Sequence, residues 1–235
     1  MSGTPFVCLR EFLVIVIVLY STGPEECHLM VNKSSSVRWK KRQAADPWVK
    51  KAIDGGWRSR AVFKLVEIDE KYRLLGQGSV VVDLGAAPGG WTQYAAKKVL
   101  PKGRVLALDI LDMDPVEGVE FICGDFAEDA VMQHILQLLG DLRADLVMSD
   151  MSPNITGMRS VDQPRSMYLV DLAFELSCQV LKSGGTFVTK VFQGEGFDEL
   201  VRECRKRFKS VKIRKPAASR RESRETYIVA TGFRL

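Results

Sequence analysis

Residues 79–91, SVVVDLGAAPGGW, contain the stretch that decides the fold of this 235-residue chain. The β-branched run at its start predicts a buried strand, and three glycines and a proline follow within six residues, more than a tight turn needs. Glycine lets a backbone approach a ligand closely, and in open α/β sheets ligands bind at the carboxyl ends of the strands. The stretch therefore predicts a ligand-binding loop that joins a strand to a helix.

Strand and helix patterns alternate on both sides of this loop. Helical apolar spacing predicts helices over residues 60–75, 90–100, 127–139, 164–181 and 197–208. Apolar runs predict strands over residues 79–84, 104–109, 119–122, 144–150 and 186–191, and shorter ones over 211–214 and 226–231. This order indicates an α/β domain with a mostly parallel, doubly wound sheet. The last two strands, joined by a basic loop, are expected to form an antiparallel pair.

The residues of the loop and of the next two strand ends narrow the choice of ligand. The order G-A-A-P-G-G does not match the G-x-G-x-x-G of dinucleotide folds, which disfavours an NAD-dependent oxidoreductase, and no G-K-[ST] follows. S-adenosylmethionine has no phosphate, but it has a ribose diol and an adenine, which acidic side chains at strand ends can bind. The predicted cofactor residues are Asp83, Gly85, Gly89, Gly90, Trp91, Asp109 after the second strand, and Asp125 after the third.

Two further strands carry candidate catalytic residues. Asp150 ends the fourth strand, and Lys190 lies in the apolar run TFVTKVF, where a lysine is costly unless it is paired or functional. A ribose hydroxyl is very weakly acidic, so a neutral lysine can act as its base and an ammonium can stabilise the developing alkoxide. Lys64 in the first helix is a candidate second cation, and Glu225 a candidate orienting group. A structural ion pair remains the alternative reading.

The net charge of +5 is unevenly distributed along the chain. Residues 33–64 hold ten Lys/Arg against two Asp/Glu, and residues 202–224 hold eleven against two, so the segment between them is acidic. If the fold brings both basic segments together, they form one positive face for a polyanion such as RNA. Five scattered cysteines and two histidines favour neither a disulfide framework nor a metal site.

Taken together, these motifs resemble the FtsJ/RrmJ (RlmE) family of ribosomal RNA ribose 2′-O-methyltransferases. The matching segments are WRSRAVFKL (57–65), VVDLGAAPGGWTQY (81–94), LALDILDMDPVEGVEFICGDF (106–126), DLVMSDMSPNITG (145–157), FVTKVFQGEGFDEL (187–200) and SRET (223–226) leading into YIVATG. The resemblance implies a Rossmann-like class I methyltransferase fold and a K-D-K-E tetrad at Lys64, Asp150, Lys190 and Glu225. It also implies cofactor positions at Gly89, Trp91, Asp109, Asp125 and Asp150.

The resemblance further implies a substrate, a compartment and a domain organisation. The family's bacterial branch modifies a uridine in the A-loop of 23S ribosomal RNA within the large subunit; a transfer RNA ribose, or RNA binding without turnover, remains the alternative. We expect a cytoplasmic monomer without metal or membrane contact. Residues 57–235 are the expected methyltransferase domain and 30–56 a basic segment. Residues 1–29, with the apolar FLVIVIVLY at 12–20, are expected to precede the true start at Met30.

Overall fold

The computed structural model describes residues 46–234 of the chain. The predictions made for residues 1–29, and for the first part of the basic segment up to residue 45, lie outside the described residues. None of the described helices is both long enough and apolar enough to cross a membrane.

The described part of the chain forms a seven-stranded mixed sheet covered by helices. In chain order the elements are α1 (Pro47–Asp54), α2 (Val62–Tyr72), β1 (Val80–Leu84), α3 (Gly90–Val99), β2 (Arg104–Asp109), β3 (Val119–Cys123), α4 (Asp129–Leu139), β4 (Ala144–Ser149), α5 (Arg159–Val180), β5 (Leu181–Phe192), α6 (Phe197–Arg207), β6 (Phe208–Arg214) and β7 (Glu225–Phe233). The strand order is β3-β2-β1-β4-β5-β7-β6. The doubly wound α/β fold predicted from the sequence is confirmed.

The direction of the strands follows from their connections. Strands β1 to β5 run parallel: helices connect β1 to β2, β3 to β4 and β4 to β5, whereas residues 110–118 connect β2 to β3 without a helix. β7 lies antiparallel between β5 and β6, as expected for the two strands at the end of the chain. The carboxyl ends of β1, β2, β4 and β5 therefore open on one edge, which is where ligands bind in such sheets.

Apolar side chains cover both faces of the sheet. One face packs Leu84, Leu108, Val147 and Phe187 against α4, α5 and α6, and the other packs Val81, Val105, Met148 and Val188 against α1, α2 and α3. Strands that are buried on both faces do not alternate polar with apolar residues, so they are near-continuous apolar runs in the sequence.

Three elements differ from the sequence prediction. Helix α1 was not predicted; the Asp46 carboxylate accepts a bond from the Trp48 amide at 3.0 Å and caps it. Helix α5 begins at Arg159 instead of 164, since the carboxylate of Asp162 binds the amides of the preceding turn. Strand β5 begins at Leu181 and includes Gly184, at a break in its pairing with β4. The glycines that follow the predicted end of the helix at residue 181 therefore lie within the strand.

Candidate active site

Two neighbouring strands bring Asp150 and Lys190 together. Ser149 pairs with Thr189, so the next residue on each strand lies at the same edge of the sheet. The Lys190 amino group lies 3.3 Å from Oδ1 of Asp150 and donates a hydrogen bond to its backbone oxygen at 2.5 Å. Lys190 is only 7% exposed, so the apolar run around it buries its charge against a carboxylate.

Lys64 and Glu225 complete a cluster of four charged groups. Lys64, on α2, places its Nζ 2.8 Å from Oε1 of Glu225 and 3.9 Å from Oδ1 of Asp150. Glu225 begins β7, whose antiparallel pairing with β5 returns the chain to the same edge. The four residues predicted as a tetrad thus come together in space, with two cations alternating with two anions.

Tyr227 belongs to the same cluster, although the sequence analysis did not identify it. Its hydroxyl donates a hydrogen bond to Oδ1 of Asp150 at 2.6 Å, and its ring packs at 5.8 Å from that of Trp91. The Lys64 ammonium lies 5.5 Å from the centre of the Tyr227 ring. Side chains two apart on a strand share a face, so the spacing from Glu225 was a signal for this tyrosine.

The cluster determines which groups carry charge. Burial opposes ionisation of Asp150, but Lys190, Lys64 and the Tyr227 hydroxyl outweigh it and lower the pKa of the carboxyl below its ordinary value. Burial and the neighbouring Asp150 carboxylate raise the pKa of Tyr227 well above 10. At neutral pH the site therefore holds an ionised Asp150 that accepts bonds from a neutral tyrosine and a lysine.

A cavity of about 340 Å³ opens beside Asp150 at the carboxyl ends of β1 and β2. Gly85, Asp109, Asp125 and Asp150 line it, together with apolar side chains that include Leu111, Phe126 and Leu169. Gly85 has φ of 78°, and a Cβ there would lie 2.5 Å from Cγ of Met151. Only glycine fits at this position, which keeps the cavity open at its base.

The aspartates of the second and third strands also shape the loops around this cavity. Asp109 accepts bonds from the amides of Ala87 and Leu111, both at 2.9 Å, and thereby joins the glycine-rich loop to the loop after β2. Asp125 accepts a bond from the Ala127 amide at 2.8 Å. Both carboxylates are held by backbone at the wall of the cavity.

The other predicted cofactor residues lie behind the cavity wall. A Cβ on Gly89 or Gly90 would lie within 3 Å of the side chain of Arg58 or Ser59, so both glycines let the loop approach the segment before α2. Trp91 donates to the backbone oxygen of Ala61 at 2.8 Å. These three residues connect the glycine-rich loop to the helix that carries Lys64.

Asp83 is buried beneath the glycine-rich loop and is 1% exposed. Its Oδ2 accepts a bond from the Thr92 hydroxyl at 2.6 Å, while its Oδ1 has no partner among the described residues. Burial raises the pKa of Asp83 to about 7, and the Thr92 bond only partly opposes this shift. A buried carboxylate with one unpaired oxygen is costly and indicates a site that a ligand completes.

A second cavity, of about 530 Å³, lies on the other side of the charged cluster. Phe192 and Gln163 contribute an aromatic and an amide side chain to its wall. The wall has four cationic side chains and three carboxylates, and we call it the basic cavity; these side chains are Arg60, Lys64, Arg220 and Arg224, and Asp162, Glu222 and Glu225. The cluster therefore lies between two cavities, one lined by carboxylates and apolar groups and the other rich in arginine.

The second cavity forms where the two basic segments of the sequence meet. Arg60, from the first segment, donates a hydrogen bond to the backbone oxygen of Ala218, from the second, and forms an ion pair with Asp46. Arg214 donates to the hydroxyl of Tyr72. The fold therefore brings together the described residues of the two basic segments, 33–64 and 202–224, as expected for one positive face.

Comparisons with known proteins found a matching family and similar proteins. The model of the family described as FtsJ-like methyltransferase matches residues 57–233. A curated relative, ribosomal RNA large subunit methyltransferase E of Marinobacter nauticus, is 56% identical over 206 residues, which are 88% of this chain and 100% of that protein. The crystal structure of a protein assigned as a ribosomal RNA methyltransferase of Plasmodium falciparum is similar with a TM-score of 0.68 and 28% identity, covering 75% of this chain and 98% of that one.

Proposed function

Because the chain belongs to the FtsJ-like methyltransferase family, we propose that it transfers a methyl group from S-adenosylmethionine to a ribose 2′-hydroxyl of ribosomal RNA. The position of the Lys64–Asp150–Lys190–Glu225 cluster between two different cavities carries this proposal. A methyl donor and an RNA nucleotide must meet at the reacting atoms, and this cluster borders both of the spaces that would hold them.

The first cavity fits S-adenosylmethionine. Its volume is within the range of small-molecule sites, and its apolar walls with a few carboxylates suit an adenosine with its ribose diol. Asp109 and Asp125, which line the cavity, would hold the ribose and the adenine. When bound, S-adenosylmethionine supplies a methyl group activated by a positively charged sulfur.

The charged cluster would prepare the ribose hydroxyl. Methyl transfer needs an in-line approach of the hydroxyl oxygen, and positioning accounts for much of the rate in such displacements. Asp150 holds the Lys190 amino group at 3.3 Å, and Lys64 is held by Glu225 at 2.8 Å, so both amino groups are fixed before substrate enters. Lys190 then either accepts the hydroxyl proton as a neutral amine or, as an ammonium, stabilises the developing alkoxide while solvent water takes that proton.

The basic cavity supports an RNA substrate. Arginine side chains from both ends of the chain line it, and contacts of arginine with phosphate dominate the affinity of proteins for nucleic acids. Phe192 in the same wall offers a face on which an unpaired base can stack. A cavity of this kind takes a nucleotide that is turned out of its helix more readily than a paired one.

We assign the finer substrate as a uridine in the A-loop of 23S ribosomal RNA within the large subunit. The name of the curated relative supports the large-subunit part of this assignment, at 56% identity over the whole of that protein. The uridine and the A-loop rest on the family resemblance. A ribosomal substrate would place the reaction in the cytoplasm.

Transfer of label from S-adenosylmethionine tests the proposal. Large ribosomal subunits, naked ribosomal RNA and total transfer RNA are offered as acceptors, and the product is digested to nucleosides. Label on a 2′-O-methyluridine from large subunits is the expected result. Label on transfer RNA would keep the chemistry but change the substrate, and no label on any RNA would leave a binding protein without turnover.

A further inference from the structure

Gln163 is a buried polar residue in the basic cavity that the proposed chemistry does not use. It lies in the second turn of α5, lines the cavity and is 6% exposed. Its Nε2 donates hydrogen bonds to the backbone oxygens of Phe192 at 3.2 Å and Glu195 at 3.0 Å. Two carbonyl acceptors determine the orientation of the amide, because the reverse orientation would place oxygen against oxygen.

This orientation leaves the Oε1 atom of Gln163 buried and without a partner among the described residues. An unpaired buried acceptor is destabilising, because it has lost its hydrogen bonds with water and gained none in the protein. The neighbouring acceptors differ from it: Oε1 of Glu225 is also buried without a hydrogen bond but lies 2.8 Å from the Lys64 amino group. Asp162 binds the amides of Thr156 and Gly157, and Glu222 is exposed to solvent. Gln163 is thus a fixed acceptor in the wall of the cavity.

The backbone of Gly194 covers this acceptor. A Cβ on Gly194 would lie 2.8 Å from both Cδ and Oε1 of Gln163. Glycine therefore leaves nothing but backbone over the amide, and this short segment must move for a donor to reach Oε1. The bond from Nε2 to the Phe192 oxygen, at the end of β5, retains the orientation of the amide when the segment moves.

We infer that Gln163 recognises the base of the acceptor nucleotide, with its Oε1 accepting a hydrogen bond from the ring N–H of uracil. This inference rests on the proposed function, which makes a uridine the acceptor. Uracil has a single donor on its base, N3–H, and cytosine has an unprotonated acceptor at the same position. The base stacks on Phe192, and Gln163 then distinguishes uracil from cytosine by one bond.

The test compares methyl transfer to two RNA acceptors that differ only at the target nucleotide, uridine or cytidine. Wild-type protein is expected to prefer uridine by roughly tenfold or more in kcat/KM, since cytidine leaves Oε1 facing an acceptor. Gln163→Met keeps the length of the side chain and is expected to reduce this ratio toward one. Gly194→Ala is the second variant, because its Cβ displaces the amide from the other side, and it should reduce the ratio similarly.

A structural role for Gln163 predicts a different outcome. If Gln163 only holds the segment after β5, both variants lose activity equally on the two acceptors and keep the wild-type ratio, which overturns the inference. Glu195→Ala is the matched control, since it alters an exposed side chain of the same segment and leaves the backbone acceptor in place. Equal activity of the wild type on uridine and cytidine also overturns the inference, whereas the proposed function fails only if the wild type methylates neither.

Discussion

The amino group of Lys190 lies 3.3 Å from the carboxylate of Asp150, although 40 residues separate them in the chain. The parallel pairing of β4 with β5 makes this contact, because it places the last residue of one strand beside the corresponding residue of the other. Oppositely charged groups so deeply buried are costly to assemble for stability alone. Asp150 lines the cofactor cavity and Lys190 lies beside it, which accords with catalysis.

Replacement of Lys190 by alanine is expected to reduce turnover by at least about a hundredfold. The side chain does not line the cofactor cavity, so the dissociation constant for S-adenosylmethionine, measured by calorimetry, should change little. Lys182→Ala is the control, since this half-exposed lysine lies at the opposite end of β5. Undiminished activity of Lys190→Ala with tight cofactor binding would contradict the assignment.

Tyr227→Phe removes the hydroxyl that donates to Asp150 and keeps the ring that packs on Trp91. Because that bond helps to lower the pKa of Asp150, the acid limb of the kcat/KM profile should move to higher pH. Turnover should fall roughly tenfold, as expected for a bond to a charged group. The exposed Tyr168 provides the control variant Tyr168→Phe, which should retain the wild-type profile.

The stability of the cofactor-free protein should depend on the ionisation of Asp83. Its pKa is raised to about 7, whereas the unfolded chain titrates at about 3.9, so between these values the native state binds more protons. The free energy of unfolding therefore decreases as pH rises from about 4 to about 7, by up to a few kcal/mol. Above pH 7 this contribution no longer changes.

Asp83→Asn should remove this part of the pH dependence, because the amide stays neutral at every pH. Urea unfolding of both proteins at about pH 5 and about pH 8 measures the difference, with the exposed Asp141→Asn as control. Parallel profiles for the wild type and Asp83→Asn would show that Asp83 titrates normally in the folded protein.

Gly85→Ala is expected to close the cofactor cavity. The new Cβ would lie 2.5 Å from Met151, and φ of 78° is unfavourable for alanine. Gly184 separates these two effects, since its φ is 83° but no atom lies within 4 Å of a Cβ there. Gly184→Ala should lose only about 1 kcal/mol of stability, whereas Gly85→Ala should also lose measurable affinity for S-adenosylmethionine. Equal cofactor affinity in both variants would exclude the steric argument.

RNA binding should weaken steeply with salt, because phosphate contacts release counterions. Arg220→Gln, in the wall of the basic cavity, should reduce the slope of log affinity against log salt by about one. Lys102→Gln is the comparison, since it removes an exposed charge at the opposite edge of the sheet. Filter binding at several salt concentrations measures both slopes, and a salt-independent affinity would contradict an electrostatic RNA site.

Much of the fold and the charged cluster could be predicted from local sequence. Strands that are buried on both faces are apolar runs, so the α/β order could be predicted. Glycines that directly follow β1 are typical of a ligand-binding loop, so the loop at 83–91 could be predicted as well. Lys190 was recognisable because a lysine is rare in such a run. Helix α1 and the first turn of α5 were missed, because neither start has a periodic pattern: Asp46 caps α1, and Asp162 inside α5 binds the amides of the turn before it.

By itself, the sequence determined the class of fold, the cofactor loop and the residue types of the charged cluster, since each depends on neighbours within a few positions. Only the tertiary structure decided that Tyr227 donates to Asp150 and that Gly89, Gly90 and Trp91 pack against the segment before α2. It also decided that Oε1 of Gln163 has no partner among the described residues. These contacts depend on strand register and on the packing of helices from distant parts of the chain. Periodicity in a sequence reports which face is buried, but not which side chain lies opposite.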